Sequence, residues 1–98
     1  MWIGWLRFDL LLGDVRSLKE KRSVVRPIVA ELQRRFAVSA AETGAQELYR
    51  RAEIGIAVAG AERARVVDVL AAAERLVAAR PEVELLATAR GLRRDTDE

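Results

Sequence analysis

From Gly4 to Leu12 the chain alternates: Gly4, Leu6, Phe8, Leu10 and Leu12 fall on one side of an extended backbone, with Arg7 and Asp9 on the other. A period of two buries one face of a strand and wets the opposite face, so Trp2 to Leu12 is read as the first strand. Gly13-Asp14 closes it with turn chemistry. The period then changes. Leu18, Val25, Ile28, Val29, Leu32 and Phe36 return at helical intervals and form one apolar stripe that has to be buried. Ser17-Leu18-Lys19-Glu20 has the spacing of a capping box, so a helix is predicted from there to about Arg35. Pro27 removes a backbone donor inside it, at roughly 3 kcal/mol. The apolar phase runs on across the proline, which predicts a kink and not an end.

Ala37 to Glu42 is a weaker strand candidate, rich in alanine and serine. Thr43 to Glu47 makes a connection too long for a tight hairpin. Arg51 to Ala59 sets Ile54, Ile56 and Val58 against Glu53, Gly55 and Ala57, the alternation of a half-buried strand. After Gly60, Val66, Val69, Leu70, Ala73, Leu76 and Val77 share one helical face until Pro81. Val83 to Thr88 is read as a short last strand. The order β-α-β-β-α-β predicts an α+β, ferredoxin-like domain: an antiparallel sheet with two helices on one face. It is expected to occupy residues 1–90 as a single domain, with 91–98 as a polar tail that frays. The opposite face of the sheet is left open and should show Ile3, Trp5 and Arg7 beside Glu53, Gly55 and Ala57.

An apolar content of 51% is enough for one core in a chain of 98 residues. No cysteine is present, which excludes disulfides, zinc-thiolate sites and thiol nucleophiles and fits a cytoplasmic location. Arg7 interrupts the first apolar run too early for a signal peptide or a membrane span, so no membrane association is expected. The net charge is only +2, yet residues 1–52 carry ten Lys/Arg against six Asp/Glu, and residues 53–98 seven against nine. The basic excess collects in Arg16, Lys19, Lys21, Arg22 and Arg26. Such a cluster favours phosphate-rich partners by counterion release; the plainer alternative is a solvated helix face.

Three segments carry a family resemblance. Val15-Arg16-Ser17-Leu18-Lys19-Glu20-Lys21-Arg22-Ser23-Val24-Val25-Arg26 is similar to the hallmark segment of the bacterial YlxP-like family, domain of unknown function 503. The stretch from Ala40 through Gln46-Glu47-Leu48-Tyr49 to Gly55 resembles that family's second segment, and Arg80-Pro81-Glu82-Val83-Glu84-Leu85-Leu86 its C-terminal one. The resemblance spans almost the whole chain. It implies a ferredoxin-like fold and no settled activity. Family members are commonly encoded near transcription and translation factors, which implies, by association alone, a link to RNA or the ribosome. One departure stands out: the family usually has histidine just before the glutamine, and here Ala45 precedes Gln46. If that histidine binds metal or moves protons in relatives, this chain lacks the group.

An enzyme needs a nucleophile, a base or a metal site. Ser17, Ser23 and Ser39 have no histidine to activate them, and Ser17 is better read as a helix cap. Glu42, Glu47 and Glu53 are read as solvated or paired with arginines such as Arg50 and Arg51. There is no asparagine to complete an acylphosphatase-like phosphate site and no glycine-rich phosphate loop. No catalytic residue, cofactor, metal or small-molecule substrate is therefore expected. Lys19, Arg22 and Arg26, at helical offsets of three and four, form a basic stripe beside the apolar one and are the expected nucleic-acid contacts, with RNA or a ribosomal partner. Cations in the first turns oppose the helix dipole by about 0.3–1 kcal/mol each, which hints at another use. Lys21 sits nearer the apolar face and is expected to snorkel. Stacking on the sheet is not expected, because Trp5 alone is aromatic on the open face. That face predicts a homodimer through Ile3, Trp5 and Ala57 instead, unless the long connection or the C-terminal tail covers Trp5; the alternative role is a protein-interaction scaffold with no nucleic-acid partner.

Overall fold

In the computed structural model, which describes residues 1–96, the elements run β1 (Trp2–Leu12), α1 (Leu18–Phe36), β2 (Ser39–Gly44), β3 (Arg51–Gly60), α2 (Arg63–Ala78) and β4 (Val83–Arg94). The sheet is antiparallel with strand order β2-β3-β1-β4, the ferredoxin-like arrangement that the periodicities predict. β1 is central because its alternation is the most apolar: Leu6, Phe8 and Leu10 are fully buried. Ile54 and Ile56 of β3 join them, and Val25, Ile28 and Leu32 of α1 with Val66, Leu70 and Val77 of α2 close the core from one side. α2 approaches β1 at Gly4, where a Cβ would lie 2.6 Å from a Val66 methyl and 2.9 Å from a Leu70 methyl. A glycine is needed there for close packing of helix on strand.

At the start of α1 the Ser17 hydroxyl accepts a hydrogen bond from the Glu20 N–H at 3.1 Å. The reciprocal arm lands one residue earlier than the motif predicts: Glu20 accepts from the N–H of Arg16, at 2.9 Å. The helix continues through Pro27 to Phe36 and is closed by Ala37 in the left-handed region, φ 51. That cap shifts β2, which begins at Ser39 and not at Ala37.

The predicted end of the domain needs correction. Gly91–Arg94 is no frayed tail but the second half of β4, paired in register from Trp5↔Gly91 to Trp2↔Arg94. β1 requires a neighbour along its whole length, and an edge strand can carry arginines because one side of it is wet. Gly91 is the residue that admits Trp5: a Cβ there would lie 2.2 Å from the indole nitrogen. The Arg94 guanidinium stands 5.6 Å from the centre of a Trp2 ring, and the Asp95 N–H donates to the Met1 carbonyl at 3.0 Å. Asp97 and Glu98, the rest of the expected tail, lie outside the described residues. One residue of β4, Leu86, is skipped where the register shifts between Asp9 and Leu10, a β-bulge.

Candidate nucleic-acid interface on the first helix

The amphipathic phase of α1 decides which of its cations meet water. Val25, Ile28 and Leu32 point to the sheet, and Lys19, Arg22 and Arg26 come out exposed on the outer side. At 1.5 Å per residue the stripe is about 10 Å long. Arg22 and Arg26 also line a groove of about 330 Å³ between α1 and β2, together with Val25, Val29, Gln33 and Glu42. Among the described residues, none of the three cations has a carboxylate within ion-pair distance.

Most of the chain's other cations are engaged. Glu31 holds Arg80 at 3.2 Å, Arg34 at 3.8 Å and Arg35 at 4.0 Å. Arg51 pairs with Asp9 at 2.6 Å, Arg7 with Glu53 at 3.7 Å, Arg16 with Asp14 at 3.2 Å, and Arg90 with Glu74. Arg50 donates to the carbonyls of Leu12 and Gly13. Among the described residues the α1 stripe is thus a run of neighbouring cations without carboxylate partners.

Lys21 does not snorkel. It is 2% exposed; its ammonium donates to the Ala45 carbonyl at 2.6 Å and lies 2.9 Å from a Glu42 carboxylate oxygen. Lys21 falls three residues after Leu18 and four before Val25, within the apolar stripe itself, and too deep in the layer for its stem to reach water. That spacing was the available signal; a buried ammonium then needs acceptors, and β2 with the turn after it supplies them. The node ties the segment of α1 that resembles the family hallmark to the second such segment. Ala45, at φ 56, contributes its carbonyl, so the bond is independent of the side chain at the position where the family usually has histidine.

The open face of the sheet shows Ile3 and Trp5 at 38% and 44% exposure. Ala57 stands opposite Trp5 in the ladder. Trp5, Ala57, Gly55, Ala41 and Thr43 border a groove of about 380 Å³. The ion pairs Arg7–Glu53 and Arg51–Asp9 cross the same face, so the expected interface residues share a surface whose apolar extent is short. Glu53 also accepts from the Thr43 hydroxyl at 2.7 Å. Ser17 caps α1 and Ser23 donates to the Glu20 carbonyl at 2.6 Å, both backbone roles. Among the described residues no helix is long and apolar enough to cross a membrane.

A family model described as "Protein of unknown function (DUF503)" matches residues 3–90. The chain belongs to the DUF503 family. Among curated proteins this DUF503 chain is 33% identical over 82 residues to "Uncharacterized protein YlxP" of Bacillus subtilis (strain 168), an alignment covering 84% of this chain and 89% of the relative. Among solved structures, a single-residue mutant of SnoaB from Streptomyces nogalater, described as a cofactor-independent oxygenase, aligns over 99% of this chain and 95% of its own. The TM-score is 0.48 and the identity 11%.

Proposed function

We propose that this DUF503 chain is a cytoplasmic, non-catalytic binding module that docks on structured RNA, ribosomal RNA included, through Lys19, Arg22 and Arg26. The observation that carries this reading is that the three cations are exposed and, among the described residues, contiguous and without a carboxylate within ion-pair distance, while most of the other arginines are engaged inside the molecule. Free cations in a row gain from releasing the counterions of a phosphate chain; paired ones do not. The lack of histidine, cysteine and asparagine in the sequence argues for binding over catalysis.

The test is RNA binding followed by salt titration. Three phosphate contacts give a slope of log affinity against log salt of roughly −2 to −3, and changing Lys19, Arg22 and Arg26 together to glutamate should remove binding. Equal binding by the wild type and the triple variant, or no binding at low salt, ends the proposal. The exposure of Trp5 favours a second reading, in which the open face receives another protein and the chain acts as a scaffold. Trp5→Ala should then remove partners that survive nuclease treatment of a pull-down.

A further inference from the structure

The two edges of the sheet differ in how they are closed. At β2, side-chain amides occupy two backbone carbonyls: Gln33 donates to Ala40 at 3.0 Å and Gln46 to Glu42 at 3.2 Å. β4, the opposite edge, is the longest strand of the sheet at 12 residues and pairs on one side only, with β1. Among the described residues no side-chain hydrogen bond reaches the backbone of residues 84–93. A long edge of this kind is a template for another strand.

The charges along β4 say which strand fits. Glu84 stands near its beginning, just after Glu82 in the preceding turn, and Arg90 and Arg93 stand toward its end. Two copies of such a strand run antiparallel about a two-fold axis bring the acidic half of each beside the basic half of the other, whereas a parallel arrangement sets like against like. Glu84 and Arg93 have no ion-pair partner within the chain among the described residues. The ladder with β1, Leu11↔Glu84 and Ile3↔Arg93, puts both on the open face.

We infer that β4 is the seam of a homodimer, in which it pairs with β4 of a second copy about a two-fold axis at Ala89. The bulge makes this register fit. Ala89 to Arg94 is five steps. From Ala89 back to Val83 there are six residues, one of them the skipped Leu86, so again five ladder steps. The whole strand then pairs with its copy without overhang, and Glu84 falls opposite Arg93 of the second copy. Faces match as well, since Glu84, Ala87, Ala89, Gly91 and Arg93 all share the open side. Ala87, Thr88 and Ala89 are short side chains that let the two backbones approach at the axis. Leu85 falls opposite Leu92 of the second copy, both on the helix-covered face. The result is a continuous eight-stranded sheet, and both α1 stripes stay clear of the seam.

The inference places the second copy on the edge and leaves Trp5 uncovered, so it is separable from dimerisation through Ile3, Trp5 and Ala57 and from RNA binding by α1. The chain has no cysteine, and Ala89→Cys therefore gives each copy one thiol. Directly opposed strand residues have Cα atoms ~4.5–5.5 Å apart, within the ~4.4–6.8 Å that a disulfide spans. Mild oxidation of the full-length Ala89→Cys protein should yield a linked dimer, and Ala57→Cys should not. Light scattering of the unmodified chain should give twice the chain mass at micromolar concentration. Glu84→Arg should raise the dissociation constant about tenfold, since each pair occurs twice across the axis. The exchange Glu84→Arg with Arg93→Glu should restore it. A monomeric mass, cross-linking through Ala57→Cys in place of Ala89→Cys, or failure of the charge exchange to recover association overturns the inference.

Discussion

Lys21 and its neighbours Lys19, Arg22 and Arg26 carry the same charge on the same helix and meet opposite surroundings. Lys21 is enclosed between α1 and β2, with a carboxylate and a carbonyl arranged around its ammonium. The other three are exposed and, among the described residues, have no carboxylate at ion-pair distance. Each residue turns the helix by about 100°, so one step along the sequence separates a structural cation from a solvent-facing one. The difference shows how to read a basic cluster: charges on the apolar phase are spent on holding the fold, and only the remainder is available to a partner.

Removing the buried partner should break this contrast with the largest effect. Lys21→Ala leaves Glu42 without its counter-charge and opens a gap beneath α1. Breaking buried pairs costs roughly 3–5 kcal/mol, and the partial exposure of Glu42 puts the expected loss near the low end, about 3 kcal/mol in urea unfolding. Replacing both partners together, Lys21→Met with Glu42→Leu, should recover most of that loss, because no uncompensated charge then remains. A double variant as unstable as the single one would show that the node acts through more than charge pairing.

The exposed side of the comparison should be far more tolerant. Changing Lys19, Arg22 and Arg26 to glutamate should alter stability by no more than about 0.5 kcal/mol per site, since all three are exposed. Thermal unfolding of the triple variant checks this, and a large loss would mean that the stripe is structural after all.

The smallest effect should come from a paired but exposed charge. The Met1 amine donates to the Asp95 carboxylate at 2.9 Å, and this hydrogen bond, acting against desolvation and helped by the amine's charge, holds the carboxyl below its ordinary value of 3.8. A depressed folded-state value stabilises above the unfolded-state value and ceases to do so as pH falls through the folded one. Asp95→Asn should therefore lower the melting temperature slightly at neutral pH, and the two proteins should converge as the pH is brought below 3.8. Added salt should shrink the difference, as for any exposed pair. A difference that persists in acid would contradict this account.

The legible parts of the molecule were those whose signal is local. β1 and β3 announce themselves by alternation, α1 by its capping serine and apolar phase. The second half of β4 does not, because Arg90, Arg93 and Arg94 read as a polar tail until β1 is seen to need a neighbour and Gly91 to be the floor beneath Trp5. Of the candidate site, Lys19, Arg22 and Arg26 could be named from helical spacing, and Lys21 could have been moved to the core on the same evidence. Its acceptors could not be named, since the Ala45 carbonyl is 24 residues away.

The sequence by itself determined the order of the elements, the start of α1, the outward phase of its three cations, and the want of histidine, cysteine and asparagine for chemistry. These depend on residues within a turn or a few strand positions of one another. Tertiary structure alone decided that Lys21 is enclosed, that the other arginines are largely paired, and that β4 runs to Arg94 and lies at an edge. Each of those outcomes depends on which distant groups meet after the chain has closed on itself, as the amine of Met1 meets Asp95 across 94 residues, and no local period records such a meeting.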